Sequence, residues 1–368
     1  MTVSARPDSP RRDQTDAPVA PRSALLDRPG AVNGEGADAG VAAHYGDPLR
    51  EQRLLAEGLA AVDLSHRGVV SVGGPDRLRW LHSMTTQHLL DLAPGVGAES
   101  LVLSPKGHIE HALHVVDDGT TTWITVEPGS APALAAWLDS MRFMLEVSVA
   151  DVTAEWAVLV EPNAAAGAPG EPLAWVDPWP NGVEPLAVPA PAKGTSPHVA
   201  YGPVTPHPGQ DRPWRELLVP RASLADAVGD RPLAGTWAAE ALRVEAWRPR
   251  AGFETDHRTI PHEVDWLRSA VHLHKGCYRG QETIARVHNL GRPPRRLAFV
   301  HLDGSGHVLP AVGSAVVLGE REVGRLTSVA RHHQDGPIGL VVVKRNTDSV
   351  AEFVVDGISG SQTVVVSA

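Results

Sequence analysis

Apolar residues recur along this chain with two periods, which predict two kinds of secondary structure. Alternation of apolar and polar positions, or a short apolar run between turn residues, predicts a β-strand. Apolar residues three and four positions apart predict an amphipathic α-helix. The predicted strands cover 68–72, 101–103, 109–116, 121–126, 144–149, 157–160 and 216–220, and the predicted helices cover 51–61, the stretch after Asp76, 131–143, 221–228 and 236–247.

The C-terminal part of the chain has a pattern of its own. Short strands are predicted at 297–302, 314–318, 321–331, 337–344 and 362–366, with turns such as Asp303-Gly304 between them. Evenly spaced short strands with glycine turns indicate a small antiparallel barrel. We therefore expect a β-barrel domain over 291–368.

Two other segments lack a regular pattern. Residues 1–42 are rich in Pro, Ala, Gly, Asp and Arg and contain almost no aromatic residue. This composition predicts a disordered N-terminal tail. Residues 162–215 are crowded with Pro, Gly and Ala, which indicates long loops around short strands.

Composition narrows the class of protein. A chain of 368 residues is too long for one ordinary core, and 42% apolar with 21% charged residues is typical of a soluble globular protein. No apolar run approaches the roughly 20 residues that span a bilayer, and the N-terminus lacks the apolar core of a secretory signal. A single cysteine favours a reducing cytoplasm, and the net charge of −10 argues against direct nucleic-acid binding.

The single cysteine, Cys277, lies in a segment of mixed chemistry, Lys275-Gly276-Cys277-Tyr278-Arg279-Gly280-Gln281-Glu282. The thiolate is the reactive form of cysteine, and the adjacent ammonium of Lys275 is expected to favour it. The two glycines permit backbone angles or close approaches that a side chain would block. The segment predicts a tight loop, fixed by hydrogen bonds of Gln281 and Glu282, that presents a reactive thiol. The alternative is a structural loop in which the sulfur fills a gap.

Several motifs are shared with one known superfamily. They are Gly74-Pro75-Asp76 before Trp80-Leu81, Lys106-Gly107-His108-Ile109, Ala241-Leu242-Arg243-Val244-Glu245-Ala246, Gly324-Arg325-Leu326-Thr327-Ser328 and Ile338-Gly339-Leu340. With these motifs the chain resembles the glycine-cleavage T-protein superfamily of tetrahydrofolate-dependent aminomethyltransferases. The segment 275–282 matches the Lys-Gly-Cys-Tyr-x-Gly-Gln-Glu signature of the YgfZ branch, a folate-binding group associated with tRNA modification. Mitochondrial relatives of this branch help to mature iron–sulfur proteins.

The resemblance implies an α+β fold of a particular shape. It is a three-lobed, T-protein-like cloverleaf, in which ferredoxin-like α/β lobes surround a central folate cavity and a small antiparallel β-barrel follows. Residues 43–290 would form the folate-binding region, as two interleaved lobes that carry the cysteine loop. The implied cofactor is tetrahydrofolate or another reduced folate.

The resemblance also suggests folate contacts. The predicted contacts in this chain are Trp237, Arg243, Glu245, Trp247 and Arg286. A flat pterin ring would stack on one of the two tryptophans, although both are equally suited to a buried core. Arg286 begins a basic strip with Arg292, Arg295 and Arg296, which is suited to a folate glutamate tail or an RNA phosphate, or simply keeps a linker soluble.

Three departures from T-proteins argue against aminomethyl transfer. Glu110 and His111 stand where T-proteins have a carboxylate pair with an essential aspartate. Residues 210–214 match poorly where a glutamate would grip the pterin, and Ala239 aligns with an arginine. The resemblance therefore implies an accessory or assembly factor more than a standard aminomethyltransferase.

Histidines near the cysteine raise the question of a metal. His257, His262, Glu263, His272 and His274 precede Cys277, and imidazole and thiolate suit transition metals. Their spacing matches no closed zinc site, so we predict no resident metal there. His108, His111 and His114 lie on a predicted strand, where alternation puts His111 on the opposite face from the other two.

These observations lead to a hypothesis about function. The chain would bind folate in the cytoplasm and support iron–sulfur proteins, including iron–sulfur tRNA-modifying enzymes. Cys277, next to the folate cavity, and Lys275 would be the reactive pair. Two alternatives stay open. One is folate-dependent one-carbon transfer, with Glu110 in place of the missing aspartate. The other is a non-catalytic folate sensor or scaffold.

Overall fold

The computed structural model describes residues 21–163, 171–181, 207–290 and 293–366. The α-helices in these ranges are α1 Pro48–Ala56, α2 Arg77–Met84, α3 Ala131–Ser140, α4 Leu224–Val228, α5 Thr236–Glu245 and α6 Gln281–Leu290. The strands are β1 Val32–Asn33, β2 Ala42–His44, β3 Ala61–Asp63, β4 Gly68–Gly73, β5 Gly97–Leu103, β6 Ile109–Asp117, β7 Thr121–Val126, β8 Ser148–Asp151, β9 Trp156–Glu161, β10 Leu173–Val176, β11 Arg215–Pro220, β12 Leu233–Ala234, β13 Arg295–Leu302, β14 Ala315–Leu318, β15 Arg321–His332, β16 Gly336–Lys344, β17 Phe353–Val355 and β18 Ile358–Val364. None of the helices in these ranges has the length and apolar character needed to cross a bilayer.

The first sheet has the antiparallel order β5-β6-β7-β4-β8. Helices α2 and α3 cover one face, because their apolar sides bury Trp80, Leu134 and Leu138 against Val70 and Ile124. The polar side chains of β6 and β7 on the other face are left to line a cavity. This sheet confirms the strands predicted at 68–72, 109–116 and 121–126, whereas the strand predicted at 144–149 begins only at Ser148.

The second sheet has the order β10-β11-β9-β3-β12, with only the β3–β12 pair parallel. Both faces are covered. Leu55 of α1 and Leu242 of α5 pack against Val158 on one face, and Leu224 of α4 packs with Leu159 on the other.

The C-terminal strands close into a barrel in the order β13-β16-β15-β14-β17-β18. The predicted antiparallel barrel is confirmed, with β17 as a strand that the sequence pattern did not indicate. Ala241, Val244 and Trp247, on or just after α5, pack against the outer face of this barrel. Helix α5 therefore lies between the second sheet and the barrel.

A buried carboxylate joins α5 to the barrel. Glu254 is fully buried and accepts hydrogen bonds from Arg243 of α5 at 3.0 Å and from Thr327 of β15 at 2.8 Å. Ser328 donates to it as well. The Thr-Ser pair of the C-terminal motif thus adds hydrogen bonds to a buried carboxylate that Arg243 neutralises, because a buried ion pair also needs its remaining lone pairs satisfied.

The structure corrects the prediction of a disordered tail for residues 21–42. These residues form two 3₁₀ turns, Ala24–Asp27 and Gly36–Asp38, and the β1–β2 hairpin. Leu25 and Val41 are buried in the core, and Ser23 donates a hydrogen bond to Asp63. The remainder of the predicted tail, 1–20, and much of the predicted loop region, 164–170 and 182–206, lie outside the described residues.

Candidate functional site

Three neighbouring cavities lie where the sheets, α5 and the barrel meet. The central cavity has a volume of only about 60 Å³. A second, of about 440 Å³, opens between α1, α5 and the barrel, and we call it the Trp237 cavity. A third, of about 420 Å³, lies beside β6, and we call it the Glu110 cavity. The central cavity shares Asp38 and Glu240 with the Trp237 cavity, and Glu127 with the Glu110 cavity. Phe253 lines both the Trp237 cavity and the Glu110 cavity, so the three spaces adjoin one another.

Charged side chains fill the central cavity and pair with one another. Its arginines are Arg67, Arg212, Arg243, Arg248 and Arg250, and its carboxylates are Asp38, Glu99, Glu127, Asp177, Glu216 and Glu240. Arg250 contacts three of these carboxylates, Asp38 at 2.7 Å, Glu127 at 2.9 Å and Glu240 at 3.2 Å. Arg248 contacts Glu99 at 2.7 Å and Asp177 at 3.2 Å. Charges removed from water require such partners.

Glu216 is a buried carboxylate between the two sheets. It begins the apolar run of β11 and accepts from Arg67 at 2.7 Å, Thr125 at 2.8 Å and His114 at 3.0 Å. His114 in turn stacks on Trp175 with ring centroids 3.8 Å apart. Burial raises the pKa of Glu216, but the charges of Arg67 and His114 and the hydrogen bonds outweigh it and hold the pKa at about 2. Glu216 is therefore ionised at neutral pH.

Asp38 reaches this network from the N-terminal hairpin. Its carboxylate is bound by Arg250 and lies 3.2 Å from Nε2 of His66. Because Asp38 lines both the central and the Trp237 cavity, the hairpin forms the partition between them. The segment predicted to be a disordered tail is thus part of the site.

The predicted folate contacts divide into two groups in space. Arg243 lines the central cavity. Trp237 is 55% exposed and lines the Trp237 cavity together with Phe253. Glu245 and Trp247 line none of the three cavities. Glu245 lies 3.5 Å from His332 of the barrel, and Trp247 is buried against the barrel face.

The basic strip is also placed differently from the expectation. Arg286 is exposed on α6, away from the three cavities. Arg295 is in β13 and binds Asp256 at 2.7 Å and Glu263 at 2.8 Å. Arg296 is buried and donates to the carbonyl of Thr347. Arg292 lies outside the described residues. The described arginines of the strip, Arg286, Arg295 and Arg296, therefore do not form one continuous basic surface.

The cysteine loop docks on the turn that precedes β6. Gly280 has φ +83° and Gly107 has φ +77°, and their backbones are in direct contact. A Cβ at Gly280 would lie 2.6 Å from the carbonyl oxygen of Ser104, and one at Gly107 would lie 2.8 Å from Cβ of Thr283. The two glycine motifs of the sequence therefore require each other.

Lys275 and Tyr278 anchor this loop from inside. The Lys275 ammonium donates to the backbone carbonyls of His82, Thr85 and Gln87. Burial lowers the pKa of Lys275 to about 7, whereas the three carbonyls favour the charged form. Tyr278 is buried with Ile109 in a hydrophobic cluster. The ammonium is thus committed to the segment 82–87, and the role predicted for it beside the thiol remains a prediction.

The other polar residues of the loop have smaller roles. Gln281 donates a long hydrogen bond of 3.4 Å to the carbonyl of Lys275, which closes the loop. Glu282 is exposed in the first turn of α6, where the helix dipole stabilises a negative charge. Gly276 has no atom within 4 Å of an added Cβ.

Cys277 is exposed at the tip of the loop. It lines none of the three cavities, so the sulfur is not directly beside the central one as the sequence suggested. The cysteine loop contacts the wall of a cavity through Arg279, two residues after Cys277, which binds Glu110 at 2.9 Å. Glu110 is part of the wall of the Glu110 cavity. Glu110 therefore holds the cysteine loop through Arg279.

The histidines near the loop do not converge on one point. His262 is buried, and burial together with His288 lowers its pKa to about 3. Glu263 is bound by Arg295, His257 lines the Glu110 cavity, and His274 is exposed. His272 instead contacts His88, with ring centroids 5.3 Å apart, and His88 contacts His82.

Sequence reasoning missed most of the central network. Asp38, Arg67, Glu216 and Arg250 come from four separate parts of the chain and follow no motif that was recognised. The available signal was local. Glu216 interrupts the start of an apolar strand, and a carboxylate in a strand buried on both faces needs a partner.

Comparisons with known proteins support the superfamily and the fold. Residues 25–163 match the family model of the GCVT N-terminal domain. The crystal structure of glycine cleavage system aminomethyltransferase T from Bartonella henselae superposes with a TM-score of 0.70 at 18% identity, over 92% of this chain and 94% of that one. The chain thus has a GcvT-like mixed α/β fold with a closed C-terminal barrel.

Relatives in sequence carry several names. A putative chloroplastic transferase of Arabidopsis thaliana is 26% identical over 96% of this chain and 81% of its own length. An aminomethyltransferase of Rubrobacter xylanophilus is 28% identical over 80% of this chain and 78% of its own length. The tRNA-modifying protein YgfZ of Buchnera aphidicola is 32% identical, but over only 22% of this chain and 24% of its own length. Together with the family model, they support a GcvT-like protein and leave the branch undecided.

Replacing Gly280 with alanine should detach the cysteine loop. The new Cβ would require both a strained positive φ and displacement of the Ser104 carbonyl, which costs roughly 1–3 kcal/mol. We expect faster amide hydrogen exchange over 275–282 in Gly280→Ala than in the wild type. Gly276→Ala is the matched control, because that position has open space. Equal exchange in the two variants would contradict the docking.

Glu216→Gln should change the pH dependence of stability. The folded pKa of about 2 lies below the usual glutamate value, so the ionised group stabilises the fold above pH ~4.3 and loses this effect as the pH falls toward 2. At pH 7 the variant should be destabilised by roughly 3–5 kcal/mol, since Arg67 loses its buried partner. Urea unfolding at pH 7 and pH 3 should show a smaller difference from wild type at pH 3. A difference independent of pH would refute this assignment.

Proposed function

We propose that this protein binds a reduced folate and uses the thiol of Cys277 to support the assembly or repair of iron–sulfur proteins, iron–sulfur tRNA-modifying enzymes among them. The observation that carries the proposal is an exposed sulfur on a loop that is itself docked and anchored. An exposed thiol on a fixed loop can reach a partner protein. A thiolate is also the usual protein ligand of iron in iron–sulfur clusters.

The walls of the cavities suit a folate. The Trp237 cavity has a volume within the usual range for small-molecule sites, and Trp237 and Phe253 offer aromatic faces to a flat ring. Glu240 and Asp38 stand at its inner end as acceptors for the N–H groups of a pterin edge. Thr236 Oγ1 and Arg212 Nε line the central cavity, are buried and make no hydrogen bond among the described residues.

The residues of the chain would then have distinct roles. Trp237 and Phe253 would hold the ring, Glu240 would orient it, and the Arg243–Glu254 pair would keep Glu240 in place. Tetrahydrofolate, when bound, supplies a carrier for one-carbon units. The central cavity, at about 60 Å³, is too small for a pterin unless its side chains move, so the ring is assigned to the Trp237 cavity.

At the loop, the chain's own residues would act on an iron–sulfur cluster as cargo. Cys277 would lose its proton to solvent when its sulfur binds iron, because thiolates are the metal-binding form. Arg279 would keep the loop on Glu110, and Lys275 would keep its base on the segment 82–87. The proposal assumes a reducing compartment, the cytoplasm.

A second candidate is tetrahydrofolate-dependent aminomethyl transfer. The names of the Rubrobacter relative and the Bartonella structural neighbour favour it. Against it, the Glu110 carboxylate is already engaged by Arg279, and Ala239 offers no charge to the central cavity.

Cys277→Ser and Trp237→Ala should separate the two halves of the proposal. Calorimetric titration with tetrahydrofolate should show saturable binding for wild type and for Cys277→Ser, and roughly 5- to 150-fold weaker binding for Trp237→Ala, since an aromatic contact of this kind is worth about 1–3 kcal/mol. In cells that lack the native copy, we expect both variants to fail to restore iron–sulfur enzyme activity, while Gly276→Ala restores it.

The contrary outcomes are distinct. Full restoration by Cys277→Ser with failure of Trp237→Ala would leave a folate sensor or scaffold without thiol chemistry. Turnover of an aminomethylated carrier by the purified protein, in the presence of tetrahydrofolate, would establish the second candidate. No tetrahydrofolate binding by wild type would refute the folate site.

A further inference from the structure

Three histidines pack together under the cysteine loop, and we call them the histidine stack. His82 belongs to the segment 82–87 that binds Lys275, His88 follows this segment, and His272 lies at the base of the loop. The ring of His88 lies between the other two, with its centroid 4.8 Å from that of His82 and 5.3 Å from that of His272. All three residues are partly buried. The histidine stack therefore lies at the contact through which the loop is held.

Hydrogen bonds tie the base of the loop to the same segment. The backbone N–H of His272 donates to the carbonyl of Thr86 at 3.0 Å, and Oγ1 of Thr86 donates to the carbonyl of Ala270 at 2.6 Å. The side chain of Gln87 donates to the carbonyl of Ser269 at 2.9 Å. A change in the histidine stack would therefore act directly on the attachment of the loop.

The backbone holds two of the three rings in the neutral form. Nδ1 of His82 accepts a hydrogen bond from the N–H of Leu89 at 3.2 Å, and Nδ1 of His272 accepts one from the N–H of His274 at 3.3 Å. A ring nitrogen that accepts such a bond carries no proton, so the proton of each neutral ring is on Nε2. A second proton, on Nδ1, would face the backbone N–H and break the bond.

The surroundings of the two rings also oppose that second proton. Burial and the ammonium of Lys275, with smaller effects of the neighbouring histidines, lower the pKa of His82 to about 4. Burial is also the largest cause that lowers the pKa of His272, followed by the charges of His88 and His274. Lys275 acts on His272 in the same direction. Both rings are therefore neutral at pH 7.

One carboxylate acts in the opposite direction. Oδ2 of Asp91 lies 3.5 Å from Nε2 of His88, and its charge raises the pKa of His82 by less than burial and Lys275 lower it. The Asp91 side chain is 93% exposed, so solvent screens its charge. Protons added to the histidine stack would thus be only weakly compensated by Asp91.

We propose that the histidine stack is an acid-sensitive latch, which holds the cysteine loop while its rings are neutral and releases it when they are protonated. The docked loop binds fewer protons than the released loop, so the attachment is complete above pH ~6.5 and is lost as the pH falls toward the folded pKa of His82, about 4. Glu216 stays ionised over this range, because its pKa is held at about 2. The latch goes beyond the proposed function, and it does not depend on whether the thiol binds iron.

The single cysteine allows a direct test, because a nitroxide attached to Cys277 reports the mobility of this loop alone. Electron paramagnetic resonance of the full-length labelled protein should show a mainly immobilised label at pH 7.5. Between pH 7 and pH 5 the ratio of mobile to immobilised label should rise at least about tenfold, as linkage predicts for one histidine whose pKa changes from ~6.5 to about 4. Labelled Gly280→Ala is the reference for a released loop and should be mobile at every pH.

Asparagine variants separate protonation from the loss of a side chain. The Oδ1 of asparagine stands where Nδ1 of histidine does and accepts a backbone N–H, but it does not titrate. His82→Asn combined with His272→Asn should therefore keep the label immobilised from pH 7.5 to pH 5. His274→Asn removes an exposed imidazole outside the histidine stack and should respond to pH as the parent does.

Two further measurements make the outcomes decisive. If the double variant does not fold, His272→Asn alone should show a smaller rise in mobility than the parent. Circular dichroism at each pH distinguishes release of the loop from global unfolding. The proposal would be overturned if the spectrum of the labelled parent did not change down to pH 5, or changed only with global unfolding. A response to pH that is undiminished in the asparagine variants would overturn it as well.

Discussion

Charges buried at the centre of this protein must be neutralised from within, and this requirement sets the arrangement of its parts. Arg250 contacts carboxylates of the N-terminal hairpin, the end of β7 and α5 at the same time. Arg248 joins β5 to the segment after β10. Breaking one such buried pair costs far more than an exposed pair contributes. These ion pairs, together with the apolar cores, therefore fix the positions of the sheets, the hairpin and α5 relative to one another.

The same requirement links the cavities to the cysteine loop. The strand that carries His114 into the central network, β6, begins at the turn on which Gly280 docks, and its second residue, Glu110, binds Arg279. The Trp237 cavity contains no residue of β6, so a ligand there would act on β6 through Arg250, which contacts Glu240 of that cavity and Glu127 of the Glu110 cavity. This physical path, through Arg250, one strand and the Glu110–Arg279 ion pair, is the reason for assigning the cavity and the thiol to one function.

Periodic segments could be predicted from sequence, and the charge network could not. The barrel and helix α5 follow from local apolar spacing, which burial on one face enforces. The resemblance pointed to Arg243, Glu245 and Trp247 together, but successive residues of a helix point in different directions. Arg243 faces the cavity, whereas Glu245 and Trp247 face the barrel.

The ordered segment at 21–44 was missed because its buried apolar residues, such as Leu25 and Val41, are few and follow no helix or strand period in a Pro, Gly and Ala-rich stretch. Its order depends on long-range partners of Ser23 and Asp38, which no local pattern reveals.

For the cysteine loop, by contrast, the local sequence was informative and the long-range contact was not predicted. Its glycines and its cysteine were recognised at once, and only the structure showed that the loop docks on the Gly107 turn.

The most direct test of the account is the alkylation rate of Cys277 with and without saturating tetrahydrofolate. Because the chain has one cysteine, a thiol reagent reports on this loop alone. If folate in the cavity is coupled to the loop through β6 and Arg279, the rate should change several-fold on saturation, and Arg279→Ala should reduce that change. An identical rate in the presence and absence of bound folate would show that the cavity and the thiol are independent.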